Sequence, residues 1–321
     1  MKRIIKRITM VMLCVYLLPG TVFAKDLIPV GQVVGLELQD RQVVIAGFDE
    51  QQGQAARAAG LLDGDVIQKI DETTITCAED VRKALQKSDG KVALEVRREG
   101  KLSRIHITPQ ITRDGPRLGV YLRQGITGIG TVTWYDPDTH KFGTLGHGVN
   151  DSTGNLVAMT EGYAYRAQVL SVKKGKRGEP GQLYGAIASP KPTGTLEANT
   201  QQGVFGKSEA AWEGEGIPVA DIDDVKVGDA VIRSTVSGNT PREYSVKILK
   251  IYPKTRQTGR NLLLKVTDPT LLQITGGIVQ GMSGSPIIQD GKLVGAVTHV
   301  LVNDPTTGYG IFIENMLDAA A

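Results

Sequence analysis

Short apolar runs separated by polar and turn residues occupy most of the chain, and they predict a mainly β protein. The first two runs, residues 33–38 and 43–46, lie on either side of the polar stretch 39–42. Short apolar runs bounded by polar clusters are typical of strands. We therefore expect two separate strands here, with a turn between them.

Two helical segments interrupt this pattern before residue 90. Residues 54–59 form an alanine-rich helical turn that ends at Gly60. Thr76 and Glu79 have the spacing of a capping box, in which each side chain bonds to the backbone N–H of the other residue, and they predict a helix that continues to Ser88. The first part of the chain is therefore predicted to be α+β.

Residues 59–71, with the sequence AGLLDGDVIQKID, strongly resemble the signature of PDZ domains. The predicted helix and a hairpin of alternating apolar residues follow in the order found in that family. PDZ domains bind a peptide as an additional strand beside their second helix. The resemblance implies a small α+β PDZ-like domain over residues 27–112, with its groove between the strand at 33–38 and the helix at 79–87. The alternative is a spacer domain that binds nothing.

From Leu118 onward the apolar runs are short, and one terminal helix is expected. Residues 130–135 are predicted as a strand, and residues 142–145 as its return strand. Glycine accounts for 39 of the 321 residues and suits the many turns of such a pattern. The second part of the chain is therefore predicted to be an all-β barrel domain over residues 118–321.

Residues 1–24 have the layout of an export signal. Lys2, Arg3, Lys6 and Arg7 precede a short apolar run, and cleavage is predicted after Ala24. An uncleaved membrane anchor is the alternative. Because these four residues belong to the 37 basic residues, and all 34 acidic residues lie after the signal, the rest of the chain is nearly neutral. A nearly neutral chain gives no electrostatic reason to expect nucleic-acid binding.

Residues 281–286, with the sequence GMSGSP, are the clearest indication of chemistry. Glycines near Ser283 allow a sharp turn that exposes its hydroxyl, and the N–H groups of Gly281 and Ser283 can then form an oxyanion hole. The motif resembles Gly-Asp-Ser-Gly-Gly-Pro of chymotrypsin-like serine peptidases, in which the serine is the nucleophile. The resemblance implies a chymotrypsin-like double β-barrel. The strand beside the substrate would carry Val297, Thr298 and His299.

A serine hydroxyl needs a base, and the chain has four histidines. His106 lies on an alternating strand of the first domain, and His140 lies in a polar turn. His147 ends a strand between two glycines and precedes the serine, as the chymotrypsin-like order requires. His299 lies close to Ser283 along the chain. We therefore predict that His147 is the base and that His299 lines the substrate pocket.

The acid that would orient this histidine is not decided by spacing. The candidates between the base and the serine are Asp151, Asp223, Asp224, Asp229 and Asp268. Asp268 follows an apolar strand and precedes Pro269, so its side chain can face a cleft. Asp151 follows His147 closely and can brace its loop instead. On the residues alone, both assignments stay open.

Four blocks of sequence narrow the resemblance. They are residues 128–133, 144–147, 275–280 and 302–310. Together with the export segment and the PDZ-like domain, they look like the stage IV sporulation protein B peptidases of endospore-forming bacteria. This resemblance covers essentially the whole chain after the export segment. It implies that Ser283 is the nucleophile, His147 the base and Asp268 the acid.

The resemblance also implies a function. It is that of a serine endopeptidase secreted from the forespore into the space between two membranes, where it processes itself. It would then cut the extracytoplasmic part of a membrane-bound regulator, so that an intramembrane protease activates a late sigma factor. The PDZ-like domain would hold peptide segments, including the protein's own amino-terminal segment.

Two further expectations follow from the sequence. Neither a cofactor nor a metal is expected, because the chain has no His-Glu-x-x-His motif and no paired His/Cys ligand set. The alternative function is that of a secreted, PDZ-bearing binding protein whose peptidase-like domain is inactive. Intact Ser283 and His147 favour the peptidase.

Overall fold

Two long antiparallel strands, β2 (Val33–Phe48) and β9 (Val120–Tyr135), form the centre of the structure. The structure is a computed structural model that describes residues 26–151, 154–255 and 259–321. The predicted export segment lies outside these residues. The two strands pair with each other over most of their length, and we call this pair the β2–β9 ribbon.

The other elements are mostly short strands, so the described chain is mainly β, as predicted. In chain order, the remaining strands are β1 Asp26–Pro29, β3 Val66–Ile70, β4 Thr73–Thr74, β5 Val92–Arg98, β6 Lys101–Ile107, β7 Gln110–Thr112, β8 Gly115–Arg117, β10 Lys141–Thr144, β11 Glu161–Lys173, β12 Gln182–Ile187, β13 Gly194–Thr200, β14 Gly203–Ser208, β15 Ile217–Pro218, β16 Gly228–Ser234, β17 Arg242–Ile251, β18 Leu262–Val266, β19 Pro286–Gln289, β20 Lys292–Leu301 and β21 Asp304–Phe312. The helices are α1 Gln54–Ala58, α2 Ala78–Lys87, α3 Pro269–Thr275 and α4 Ile313–Ala320, with a 3-10 turn at Ile222–Asp224.

Six strands form a first barrel around the amino-terminal half of β2. Their order is β9-β10-β14-β13-β11-β2, and the pairing of β2 with β9 closes the ring. The barrel core includes Val34, Leu36, Val132, Phe142 and Val204. The strand and return strand predicted between residues 130 and 145 are neighbours in this barrel, at the end of β9 and in β10.

A second closed barrel has the order β16-β17-β18-β21-β20-β19. Its core includes Ile232, Ile248, Leu264, Ile287 and Val297, all almost completely buried. Apolar residues of the first barrel join the same cluster, so the two barrels pack on each other. This arrangement confirms the predicted double β-barrel, and the predicted terminal helix is present as α4.

A small α+β module lies between β2 and β9 in the chain. Strands β3, β5 and β6 extend the sheet from the carboxyl-terminal half of β2, and α1 and α2 pack on this extension. The module has its own core, which includes Val43, Ile67, Val81, Leu94 and Leu118. Residues 26–38 contribute to the barrel cores instead. In terms of packing, the core of the module therefore begins near Val43 and not at residue 27.

The two strands predicted on either side of residues 39–42 are one continuous strand, β2. Its register with β9 shifts between Leu38 and Val43, so the polar residues form a bulge and not a turn.

The prediction of a peptide groove beside residues 33–38 is also wrong. That segment pairs with β9 on one edge and with β11 on the other, so no peptide can add there.

The start of α2 also differs in detail from the prediction. The carboxylate of Asp80, and not that of Glu79, accepts bonds from the N–H groups of Thr76 and Cys77, at 2.9 and 3.2 Å. Glu79 pairs with Arg82 instead. The capping interaction thus exists one residue later than predicted. The hairpin predicted after this helix is confirmed as β5 and β6.

Candidate active site

His147 comes from the first barrel, just after β10. The two residues before it, Leu145 and Gly146, both have positive φ values, 69° and 68°. This conformation is uncommon for leucine, and backbone of this kind is often held at functional sites. The turn directs the chain out of β10, and the imidazole lines the cleft between the barrels.

Ser283 comes from the second barrel, in the loop of residues 276–285 that connects α3 to β19. We call this segment the serine loop. Gly281 and Gly284 have φ values of +97° and +95°. At Gly284 a Cβ atom would lie 2.0 Å from the carbonyl oxygen of Thr131 in β9. Gly284 is therefore required both by its conformation and by the close approach of β9.

Hydrogen bonds of the serine loop fix the direction of the two peptides that carry the predicted oxyanion N–H groups. The carbonyl of Gln280 accepts a backbone N–H of β12 at 2.8 Å, and the carbonyl of Met282 accepts the N–H and the hydroxyl of Ser285, at 3.0 and 2.7 Å. Because N–H and C=O point in opposite directions in a trans peptide, the N–H groups of Gly281 and Ser283 point away from these bonds. Within the described chain, neither donates to a backbone carbonyl.

Two residues that the sequence analysis did not assign hold this loop in place. Thr131 is fully buried, and it donates its hydroxyl to the carbonyl of Gly281 at 2.9 Å and its N–H to that of Ser283 at 3.0 Å. Ser285 is also fully buried, and its hydroxyl lies 2.9 Å from that of Ser234. The only signals in the sequence were a threonine within an apolar strand and a serine where the chymotrypsin-like motif has glycine.

Ser283 and His147 line one cavity of about 460 Å³. Its other lining side chains are largely apolar and include Leu38, Ile129 and Ile278. None of the lining residues carries a carboxylate, an ammonium or a guanidinium group. A cavity with this lining suits an apolar side chain of a bound peptide.

The serine hydroxyl and the imidazole are close to the same space but do not bond to each other here. Ser283 donates its hydroxyl to the carbonyl of Thr298 at 2.9 Å. Burial lowers the pKa of His147, while its bond to the carbonyl of Gly148 acts in the opposite direction. The imidazole is therefore neutral at neutral pH. A neutral imidazole has a lone pair that can accept a proton, and hydrogen bonds between catalytic groups are often long or absent without substrate.

His299 is a second imidazole beside the first. The two ring centroids are 5.3 Å apart. Burial, with the nearby His147 and Arg260, lowers the pKa of His299 to about 4. Its Nδ1 atom is buried, and no partner for it exists among the described residues. Of the predicted pocket strand, Thr298 and His299 line the cavity, whereas the side chain of Val297 lies in the barrel core.

The structure does not bring a candidate acid to His147. Asp268 is the N-cap of α3, and Asp151 accepts a bond from the backbone of its own loop. The other candidates, in the 3-10 turn and in β16, are Asp223, Asp224 and Asp229. Among the residues that the structure describes, no carboxylate contacts His147.

Clusters of metal ligands and membrane-spanning helices are both absent from the described chain. This part of the chain contains no group of three or more His, Cys, Asp or Glu side chains that could hold a metal ion. Over the same residues, no helix is long and apolar enough to cross a membrane.

A serine and a neutral histidine line one cavity between two β-barrels, and in the described chain two N–H groups of the serine loop donate to no backbone carbonyl. Serine peptidases of the double-barrel type also have a serine, a histidine and backbone N–H donors at their active site. The chain belongs to the SpoIVB peptidase S55 family, whose model matches residues 114–317. The match covers every strand of both barrels except β2, and it leaves out nearly all of the α+β module. A comparison with curated proteins finds no match.

Three solved structures are distantly similar. The protease Rv3671c in an inactive form has 14% identity and a TM-score of 0.35, with 59% of this chain and 81% of that chain covered. A serine-to-alanine mutant of Rv3671c from M. tuberculosis H37Rv has 14% identity and a TM-score of 0.33, with 60% and 80% covered. The HtrA-type protease AlgW with a decapeptide has 11% identity and a TM-score of 0.36, with 65% and 56% covered. The assignment to the family rests on the family model and not on these structures.

Proposed function

We propose that this protein is a serine endopeptidase in which Ser283 attacks the peptide carbonyl and His147 is the base. The observation that carries the proposal is the shared cavity, which Ser283, His147 and Gly281 all line, while the N–H groups of Gly281 and Ser283 donate to no backbone carbonyl of the described chain. Oxyanion donors of this kind each contribute about 10²–10³ in kcat in enzymes where they have been removed.

The reaction would proceed through an acyl-enzyme. His147 removes the proton from the hydroxyl as Ser283 attacks, and the two N–H groups receive the negative charge that develops on the carbonyl oxygen. The protonated imidazole then gives its proton to the leaving amine. Water, activated by the same imidazole, hydrolyses the ester and releases the serine.

The lining of the cavity supports an apolar residue next to the bond that is cut. Leu36, Leu38, Ile126 and Ile129 enter it from the first barrel, and no lining side chain carries a charge to compensate a charged substrate. We expect Val, Ile or Leu at this position of the substrate, and poor cleavage of substrates with Asp, Glu, Lys or Arg there.

The family and the predicted export segment support a role outside the cytoplasm. We propose that the protein is secreted across the forespore membrane into the space between the two membranes. An uncleaved amino-terminal segment would tether it to the membrane until the protein is processed. There it would process itself and cut the extracytoplasmic part of a membrane-bound regulator. This cut would release an intramembrane protease that activates a late sigma factor.

The α+β module supports a peptide-binding role at a different place from the one predicted. Residues 120–122 of β9 pair with β2 on one edge, and among the described residues no strand pairs with their other edge. Val81 and Leu85 of α2 face this edge across a pocket of about 440 Å³. We call this the module groove, and we propose that it holds extended segments of substrates or of the protein's own amino-terminal region.

The catalytic proposal is tested with purified wild-type protein and the Ser283→Ala variant. We expect the wild type to cleave itself and a fluorogenic peptide with an apolar residue at the cut, and we expect Ser283→Ala to lose both activities with an unchanged melting temperature. Ser237→Ala, at an exposed turn, is the matched control. Equal cleavage by wild type and Ser283→Ala would contradict the proposal. Peptide binding without any cleavage would favour the alternative, a binding protein with an inactive peptidase-like domain.

A further inference from the structure

A strongly basic hairpin lies beside the serine loop. Strands β11 and β12 pair with each other, and the chain reverses between them. We call residues 170–184 the basic hairpin. Four positive charges and one negative charge give it a net charge of +3, in a chain that is nearly neutral after the export segment. The charged residues are Lys173, Lys174, Lys176, Arg177 and Glu179.

The positive charges of the basic hairpin are exposed and exceed the negative charge available to them. All four basic side chains are exposed. Glu179 pairs with Lys173 at 2.8 Å, and its pKa is lowered mainly by Lys173 and to a smaller degree by Lys176. Lys174 donates its ammonium group to a carbonyl of α3 at 3.0 Å. Within the described chain, the side chains of Lys176 and Arg177 make no hydrogen bond or ion pair.

Exposed apolar side chains lie among these charges. Leu170 and Tyr184 of the basic hairpin are 64% and 47% exposed, and the pairing of β11 with β12 shifts register at Leu170. Such a shift marks a bulge, which turns a side chain away from the regular pattern of the sheet. Ile274, near the end of α3, and Val302, in the turn after β20, are also exposed.

The tip of the hairpin is fixed against these two neighbours. Gly175 donates its N–H to the carbonyl of Thr275, and Gly178 donates its N–H to the carbonyl of Val302, both at 2.8 Å. Gly175 is buried in this contact. We call the exposed side chains of the basic hairpin, together with those of Ile274 and Val302, the basic surface.

The base of the same hairpin bonds to the serine loop. Gln280 donates its N–H to the carbonyl of Gly181 at 2.9 Å, and its carbonyl accepts the N–H of Leu183 at 2.8 Å. Ser283 follows shortly after Gln280 in the chain. Since a residue spans at most about 3.6 Å, the nucleophile predicted at Ser283 lies within about 30 Å of the hairpin tip.

The composition and shape of the basic surface suit a lipid bilayer. Clustered Lys and Arg are attracted to anionic lipids, and apolar side chains between them enter the boundary between headgroups and acyl chains. The residues of the basic surface line none of the cavities of about 560, 460, 510 and 440 Å³ found in the described chain. A flat bilayer needs no cavity, whereas an acidic peptide would gain specificity from one.

We propose that the basic surface docks this protein on an anionic phospholipid bilayer. Lys176 and Arg177 would contact the headgroups, and Leu170 and Tyr184 would enter the interface. The inference goes beyond the proposed function, because lipid binding requires no cleavage. Docking would hold the cleft within about 30 Å of the bilayer, where the membrane-proximal part of a membrane-bound substrate lies.

The test is co-sedimentation with lipid vesicles. It uses the chain from Lys25 onward, which contains both barrels and the module, so that the export segment adds no membrane affinity of its own. Every protein also carries Ser283→Ala, so that cleavage cannot alter it. The vesicles contain either phosphatidylcholine alone or equal parts of phosphatidylcholine and phosphatidylglycerol. We expect binding to the anionic vesicles and none to phosphatidylcholine alone.

The double variant Lys176→Gln/Arg177→Gln tests the charges. Each Lys or Arg near an anionic leaflet strengthens binding about fivefold, so the variant should bind the anionic vesicles about 25-fold more weakly. Its melting temperature should not change, because these side chains make no bond within the described chain. Lys83→Gln/Lys87→Gln, at two exposed lysines of α2, is the matched control. It removes the same charge and should bind like the wild type.

The variant Leu170→Ser tests the apolar contact. It should weaken binding, and this loss should persist at high salt, where the attraction of exposed charges is screened. The loss in Lys176→Gln/Arg177→Gln should shrink at high salt. Leu249→Ser, at an exposed leucine of β17, is the matched control and should bind like the wild type.

Four results would overturn the inference. They are absence of binding to the anionic vesicles, equal binding by the wild type and Lys176→Gln/Arg177→Gln, an equal loss in both double variants, and equal binding by the wild type and Leu170→Ser. An oligoglutamate peptide that binds the wild type when the vesicles do not would assign the surface to an acidic protein segment instead. None of these measurements depends on cleavage, so they stay decisive if the proposed function fails.

Discussion

The two halves of the β2–β9 ribbon differ in what lies beside them. Residues 33–38 of β2 are paired on both edges, with β9 and with β11, and the facing part of β9 bonds to the serine loop through Thr131. Residues 43–48 of β2 pair with residues 120–124 of β9. In the described chain no strand pairs with the outer edge of residues 120–122, which lines a pocket together with α2, the hairpin of β7 and β8 and the residues after β2.

The difference shows how one pair of strands can carry both a rigid site and an open one. A strand that is paired on both edges and packed on a loop fixes the positions of reacting groups. A strand with a free edge offers N–H and C=O groups to a peptide. We call residues 33–38 of β2 and their partners in β9 the closed half, and residues 43–48 of β2 and their partners the open half. Because β9 runs through both halves without a break, substitutions in the closed half should affect catalysis, whereas those in the open half should affect the module.

The largest expected effect is at the contact of the closed half with the serine loop. We expect Gly284→Ala to prevent stable folding or to cost more than about 4 kcal/mol, because its Cβ would clash with the backbone of Thr131. Gly100→Ala, in the module, is the comparison. That glycine also has a positive φ, 79°, but has open space around it, so about 1 kcal/mol is expected. Urea unfolding measures both, and equal losses would contradict the distinction between the two halves.

The next effect concerns Thr131 itself. Thr131→Val removes the hydroxyl that bonds to the carbonyl of Gly281, and leaving this carbonyl unpaired should cost about 1–3 kcal/mol of stability. Because the same bond orients the oxyanion loop, kcat should fall by about tenfold or more. Steady-state kinetics on the apolar peptide measures this. Thr127→Val, on the exposed part of the same strand, should leave kcat unchanged. Equal kinetics of both variants would show that Thr131 does not hold the loop.

A smaller effect is expected in the open half, for the substitution Val81→Ala in the core of the module. Truncation of this buried side chain should cost about 1–2 kcal/mol. Hydrogen exchange should become faster at residues 43–45 and 92–96, while residues 34–38 keep their protection. Val34→Ala, in the first barrel, is the reciprocal variant. If Val81→Ala accelerates exchange equally in both halves, the ribbon is one cooperative unit and the comparison fails.

Local signals in the sequence account for what was predicted correctly about this ribbon and the strands beside it. Glycines around His147 and Ser283 mark the sharp turns on which both side chains are presented, and the structure places both at one cavity. Alternation of apolar residues likewise predicted the hairpin of β5 and β6. These features depend on neighbours in sequence, so a single sequence contains them.

The errors arise where distant contacts decide the structure. Residues 39–42 look like a turn, but Asp40 is buried in a bulge, where its carboxylate accepts the N–H of Gln42 and its carbonyl accepts the side chain of Gln124 on β9. The pairing partner across the ribbon is not visible in the local pattern. Asp268 shows a different problem, since aspartate followed by proline fits the end of a strand and also the start of a helix.

The effect that is smallest at neutral pH concerns the acid sensitivity of the closed half. Burial, His147 and Arg260 lower the pKa of His299 to about 4 in the folded protein, from an ordinary value of 6.5. Between these values the unfolded chain binds a proton that the folded chain does not, so stability falls as the pH drops from 6.5 toward 4. His299→Gln removes this proton uptake. We therefore expect the variant to lose less stability over this range than the wild type, as measured by urea midpoints at several pH values.

His106→Gln is the matched control for this prediction, because His106 is exposed on β6 of the module. The control should follow the wild-type pH dependence, since its side chain is not enclosed in either half of the ribbon. His147, whose pKa burial also lowers, contributes in the same direction and stays in place in both variants. An acid-induced loss that is the same in His299→Gln and in the wild type would show that the imidazole beside Ser283 takes up its proton equally well in the folded protein, and the cleft would then be more hydrated than its apolar lining suggests.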